Sequence, residues 1–249
     1  MSYDKKPEMI LFDVGGTLFR DGKCIFRDGL SALRGYADNP DATDDDTLCR
    51  LWDEYMDMSG TRFCTKEGIS LEVPLSAMIK AVTMRAGLKF SMDIFSQEEI
   101  FDRFNSTREL MTGIESLLAT LKELGIRTAV ISNNAMSGES LSLAIKRWIP
   151  SSCFEFSLTS ADILFPKPYE ALFLAAAGYA AASPENCWYC GDSKIPDVDG
   201  SGNAGMTPVF IDTKSTADIE MRSNGERGSF MTVSSWRALE NYIKNTFGE

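Results

Sequence analysis

Met9-Ile10-Leu11-Phe12-Asp13-Val14-Gly15-Gly16-Thr17-Leu18 is the stretch that decides the reading of this chain. Its four leading apolar residues predict a strand buried on both faces, as in the middle of a parallel sheet. The run stops at a lone carboxylate, Asp13, and two glycines follow at once. A sheet that delivers Asp13 to its carboxyl edge and then turns on Gly15 and Gly16 puts an acid in the crevice where open α/β sheets bind ligands. Asp-x-Gly-Gly is also common turn chemistry, and on this stretch alone Asp13 reads equally well as a turn residue.

Three later stretches repeat the pattern of an apolar run ending in groups suited to phosphate or metal. Ala129-Val130-Ile131 leads into Ser132-Asn133-Asn134, and Lys167 stands in Phe165-Pro166-Lys167-Pro168. Cys187-Trp188-Tyr189-Cys190 leads into Gly191-Asp192-Ser193, with Asp197 beyond it. With these four motifs in this order the chain resembles the haloacid dehalogenase-like hydrolase superfamily. The resemblance implies a Rossmann-like α/β core built on a doubly wound parallel sheet, with a helical cap inserted after the first motif. Residues 1–19 and 109–249 would form the core, and residues 20–108 the cap.

Composition sets outer bounds. The 249 residues carry a net charge of -11, which argues against nucleic acid and anionic membrane surfaces as partners. An anionic substrate would then need a local cation. No apolar run reaches the roughly 18 residues of a membrane span, and Met1 to Glu8 is charged rather than signal-like, so the cytoplasm is the expected location. The chain has no histidine, which removes Ser-His-Asp and Cys-His catalysis, histidine-ligated zinc and histidine general bases together. The spread of the six cysteines does not resemble a disulfide framework. Cys187 and Cys190 lie within an apparent buried strand, which favours core packing over redox or zinc chemistry.

Along the chain, Phe19 to Phe26 reads as a small hairpin turning at Arg20-Asp21-Gly22. From about Gly29 to Arg108 the pattern is helical. Leu48, Leu51, Trp52, Tyr55, Met56 and Met58 recur at helical spacing, as do Leu75, Met78, Ile79, Val82 and Met84, and both stripes read as core. Ser96-Gln97-Glu98-Glu99 resembles a helix start. Regular α/β alternation then returns, with strands expected at Ile126–Ile131, Phe154–Leu158, Cys187–Cys190 and Pro208–Asp212, and a closing helix over Trp236–Phe247.

The chemistry follows from the motifs. Parallel strands ending together bring Asp13 and Asp192 face to face, a donor set suited to Mg²⁺. The resemblance implies that the metal takes Asp13, the Gly15 carbonyl and Asp192. Lys167 and the Ser132 hydroxyl, beside Asn133 and backbone N–H groups near a helix start, would hold a phosphoryl group. Asp197 would orient Lys167 or bind loop amides, and Thr17 and Ser193 would support the site. Asp13 would attack phosphorus to give an aspartyl-phosphate that water hydrolyses, on a small phosphorylated substrate. The common phosphatase pattern carries a second Asp, the general acid and base, where this chain has Gly15. Substrates with good leaving groups, a phosphonatase-like or dehalogenase-like reaction, or an impaired ligand-binding protein would each accommodate its loss. Nothing in the sequence sets the oligomeric state.

Overall fold

The computed structural model describes residues 3–59, 71–225 and 228–248. In chain order, β1 (Met9–Phe12) and β2 (Phe19–Cys24) are followed by α1 (Phe26–Gly35), α2 (Asp45–Ser59), α3 (Leu75–Arg85), α4 (Ile94–Asn105) and β3 (Ser106–Leu110). Alternation begins with α5 (Ile114–Glu123), β4 (Arg127–Ser132), α6 (Gly138–Trp148), β5 (Ser157–Thr159) and the one-turn α7 (Ser160–Ile163). It continues through α8 (Glu170–Tyr179), β6 (Cys187–Gly191), the short α9 (Gly200–Asn203) and β7 (Thr207–Ile211). The antiparallel pair β8 (Ile219–Ser223) and β9 (Ser229–Val233) and then α10 (Trp236–Phe247) close the chain.

Seven of these strands form one sheet in the order β5-β4-β1-β6-β7-β9-β8, parallel throughout except for β8 at its edge. This is an α/β, doubly wound arrangement. Strand alternation explains its two cores. Ile10 and Phe12 join Val130, Trp188 and Cys190 beneath α5, α6 and α10, whereas Met9 and Leu11 join Ala129, Ile131, Cys187 and Tyr189 beneath α8. Continuing the alternation, Asp13 follows Met9 and Leu11 onto the α8 side. Cys187 and Cys190 therefore lie on opposite faces, both as buried free thiols. Burial raises the Cys187 thiol to about 11, and raises Cys190 further, so neither is a ready thiolate.

The four helices between β2 and β3 share a separate apolar cluster, with Leu30, Leu48, Trp52, Ile79 and Phe101 at its centre. Met136 and Ala144, from the α6 region of the core, belong to the same cluster. This helical block is thus packed onto the α6 side of the sheet domain.

Several local expectations are corrected. Phe19–Cys24 is not half of a local hairpin; it pairs antiparallel with Ser106–Leu110, where the chain returns from the cap. Helix α4 starts at Ile94, because Asp93 accepts the Ser96 N–H as its N-cap, and Glu98 and Glu99 lie buried beyond its first turn. Met56, Met58 and Met84 are exposed rather than core. The strands β8 and β9 occupy a region read without strands. No helix among the described residues is long and apolar enough to cross a membrane.

Candidate active site

The carboxyl ends of β1, β4 and β6 meet at one crevice. Asp13 directly follows β1, and its N–H donates to the Cys190 carbonyl at 2.9 Å, so the sheet ladder fixes its main chain. The turn behind it is built on the Val14 carbonyl, which accepts from Thr17, Leu18 and Phe19 at 3.3, 2.9 and 3.0 Å. Gly15 lies within that turn. Gly16 has φ +65, and a Cβ there would collide with the Asp192 carboxylate. Glycine is required at position 16 on both counts.

Lys167 lies at the centre of the crevice, almost wholly buried. Its ammonium group donates to Asp13 at 2.9 Å, to Asp197 at 2.6 Å and to the Tyr189 hydroxyl at 2.8 Å. An ammonium has three N–H groups, and here all three are engaged. Burial alone would lower the Lys167 pKa, but the carboxylates of Asp13 and Asp197 outweigh it and raise the pKa, keeping the group charged. Tyr189 donates its own hydroxyl hydrogen bond to the Ile131 carbonyl at 3.0 Å, and burial pushes its phenol well above the usual value. From the sequence alone this tyrosine reads only as strand packing. The one available signal is a hydroxyl-bearing side chain in an otherwise apolar run.

Asp197, read as a partner either of Lys167 or of loop amides, contacts both. One carboxylate oxygen holds Lys167, and the other accepts the Ser193 N–H at 2.9 Å. A Cβ at Gly191 would strike Asp197, so this glycine admits the carboxylate against the strand end. Ser193 also donates to Asp192 at 3.4 Å. Asp199, read from the sequence as surface, is partly enclosed and pairs with Lys194 at 2.8 Å.

The Asn133 side chain is engaged by the Lys167 loop. Its amide accepts the Lys167 N–H at 2.6 Å and donates to the Lys167 carbonyl at 3.0 Å, clamping the Lys167 loop to the end of β4. Ser132, the last residue of β4, is buried beside it. The nearby helix start is already occupied, because Ser137 N donates to Glu98 and Gly138 N to Asp162. Asn134 N and Met136 N are engaged by Ser160 and by the Asn134 side chain. The amides of Asn134, Met136, Ser137, Gly138 and Ser140 are therefore already engaged. Thr17 is wholly buried, its hydroxyl without a hydrogen-bond partner and its carbonyl taken by the Trp236 indole N–H at 2.9 Å. It supports the turn through its main chain.

Asp13, Asp192 and Asp197 each place a carboxylate oxygen within 4.8 Å of the others. Three acids thus face one lysine. Burial, and then the charge of Asp13, raise the Asp192 pKa, which is the penalty a bound cation would relieve. Asp197 is committed to Lys167 and Ser193, which leaves Asp13 and Asp192 as the open oxygen donors. Such a hard-oxygen pair fits Mg²⁺.

The sequence pattern of the haloacid dehalogenase-like hydrolase family matches residues 10–211, a span that contains every crevice residue described above. The chain belongs to this family. As a haloacid dehalogenase-like hydrolase it has curated relatives that it matches over about half their length. A mouse haloacid dehalogenase-like hydrolase domain-containing protein 3 is 27% identical over 131 residues, 51% of this chain and 50% of the relative. The glyceraldehyde 3-phosphate phosphatase of Methanopyrus kandleri is 27% identical over 119 residues, 45% of this chain and 48% of the relative. Among solved structures, a 2-haloacid dehalogenase from Pseudomonas syringae superposes with a TM-score of 0.60 at 18% identity, covering 96% of this chain and 99% of that one. A phosphatase of the family from Thermococcus onnurineus gives 0.54 at 15% identity, covering 95% and 97%. These two likenesses are of fold.

Proposed function

We propose that this hydrolase is a Mg²⁺-dependent phosphatase that uses Asp13 as nucleophile on small phosphorylated metabolites with good leaving groups. The observation that carries the reading is the charge of the crevice: three clustered carboxylates against one buried lysine. A dehalogenase needs Asp13 alone to attack carbon and gains nothing from Asp192 beside it. A phosphatase uses the same pair of acids to hold a cation against a phosphoryl dianion. The kinship with the Methanopyrus kandleri phosphatase supports the same reading.

Asp13 attacks phosphorus, the P–O bond to the leaving group breaks, and an aspartyl-phosphate forms. Water then attacks phosphorus, releasing inorganic phosphate and restoring the Asp13 carboxylate. Mg²⁺, held by Asp13 and Asp192, would supply charge neutralisation for the phosphoryl oxygens. Lys167 enters with its donors full, so it exchanges one bond to reach the phosphoryl group. Its bond to Asp13 is the natural one to change, since that acceptor is the reacting group. Ser132 and the main chain at Asn133 complete the phosphate contacts, because the side chain of Asn133 is held by the Lys167 loop.

Gly15 stands where a general acid would protonate the leaving group, help typically worth about 10²–10⁴ in rate. Acyl and aryl phosphates, whose leaving groups are weak bases, need it least. The test is Mg²⁺-dependent phosphate release across acyl, aryl and alkyl phosphates, with Asp13→Asn as control. Activity confined to acyl and aryl phosphates, abolished by Asp13→Asn and extended to alkyl esters by Gly15→Asp, is expected. Silence on every phosphate, with halide release from haloacids instead, would overturn it.

A further inference from the structure

We propose that Glu98, on helix α4 of the cap, is a positioning residue for the segment 132–137, which begins at the phosphate contacts Ser132 and Asn133, so that phosphoryl binding depends on how the cap is seated. This rests on the phosphatase reading for the identity of the ligand, and on geometry for the tie itself. Glu98 is fully buried. One of its carboxylate oxygens accepts from Ser137 N at 3.2 Å, from Ser137 Oγ at 2.6 Å and from Ser140 Oγ at 2.6 Å. Its other oxygen, Oε1, is buried with no hydrogen-bond partner.

Two observations separate this tie from ordinary helix capping. Helix α6 is already capped by its own N-cap residue, because Ser137 Oγ accepts the Ser140 N–H. A buried carboxylate with one bare oxygen is a costly addition to an end that is already satisfied. The same loop is also tied to the cap twice more. Leu75 N donates to the Ala135 carbonyl at 2.7 Å. Asn134 N donates to Ser160 Oγ at 2.9 Å, and that hydroxyl donates to the Glu72 carboxylate at 2.9 Å. Three ties, from α4, the first residue of α3 and Glu72 just before it, converge on the segment that begins at Ser132 and Asn133. Any shift of the cap along α6 therefore moves the loop that receives the phosphoryl group, and through the Asn133 clamp the Lys167 loop with it, while Asp13 stays fixed to the sheet.

Glu98→Leu keeps the bulk and removes the acceptor; Glu98→Gln restores an acceptor. In Glu98→Leu, KM and the inhibition constant of inorganic phosphate rise together by about tenfold, the worth of a hydrogen bond to a charged group. The effect on kcat is smaller than that on KM, and Glu98→Gln recovers most of the loss. A lowered melting temperature with KM and phosphate inhibition unchanged would make Glu98 merely structural and overturn the proposal. Should Glu98→Leu fail to fold, Ser140→Ala deletes one of the three donors, and a smaller rise in both constants is expected; no rise overturns the proposal. A parent that releases no phosphate sinks the phosphatase reading and not the tie. The tie is then decided by hydrogen exchange over residues 132–137, which must quicken in Glu98→Leu or Ser140→Ala and overturns the proposal if it does not.

Discussion

Two places in this molecule cluster acids, and they are balanced differently. At the junction of cap and core, Glu98, Glu99 and Asp102 of α4 are all buried, and three arginines stand among them. Arg103 and Arg147 pair with Glu99, and Arg108 grips Asp102 through both nitrogens at 2.6 and 2.7 Å. Three acids meet three cations, and Glu98 adds serine hydroxyls to the account. In the crevice, three acids meet Lys167 alone. The junction is balanced in charge as folded and serves to hold the helical block against the core. The crevice has two negative charges in excess, which is tolerable where a cation and a substrate complete the site. The balance of charge, rather than the number of buried acids, separates structure from chemistry here.

Breaking each cluster at its cation tests that contrast. Lys167→Met should have the largest effect, lowering kcat/KM by about 10²–10³ through loss of the cation beside the phosphoryl group. Steady-state kinetics of the soluble variant would check it, and a loss of stability without a loss of rate would refute the contrast. Arg108→Met should do the opposite, leaving Asp102 only Arg147 at 4.0 Å and the Ser106 hydroxyl at 3.3 Å, at a cost of up to about 3–5 kcal/mol while turnover per folded molecule is kept. Denaturant unfolding beside active-site titration separates the two. Gly16→Ala should cost about 1–2 kcal/mol from its left-handed backbone and displace the Asp192 carboxylate. Its signature is a raised Mg²⁺ requirement, and an unchanged Mg²⁺ titration would remove Asp192 from the cation site. Tyr189→Phe sharpens the comparison most finely. It leaves one Lys167 N–H without its acceptor, a cost of about 1 kcal/mol that should appear in both melting temperature and kcat.

Much of this was legible because chemistry sits where apolar runs stop. Asp13, Ser132 and Asp192 each end or follow a buried strand, and parallel strands end together, so the sequence alone brings them to one edge. Lys167 needed its place before a helix, and its partners needed the fold. Nothing local links Tyr189 to a lysine in another element, since the phenol meets Lys167 only after β6 is laid beside β1. Asn133 misled for a related reason. An amide beside a phosphate-binding serine looks like a ligand contact, but the Lys167 loop passes close enough to claim both of its polar atoms. The pairing of β2 with β3 was hidden because their partners are separated by the whole cap, whereas hairpin logic looks only to the next few residues. The edge pair β8 and β9 was missed because Ile219 to Ser223 is short and half exposed, so its alternation is faint.

The two cysteines of β6 give the molecule a built-in gauge of how it opens. Cys187 and Cys190 lie on opposite faces of the sheet, each beneath a different helical layer, and both are shielded from solvent. Cys24 and Cys153, by contrast, are exposed and free. A thiol reagent would mark the outer pair at once and the inner pair only when a layer lifts. If Cys187 reacts before Cys190, the α8 layer peels first; if both react at one rate, the sheet yields as a single unit.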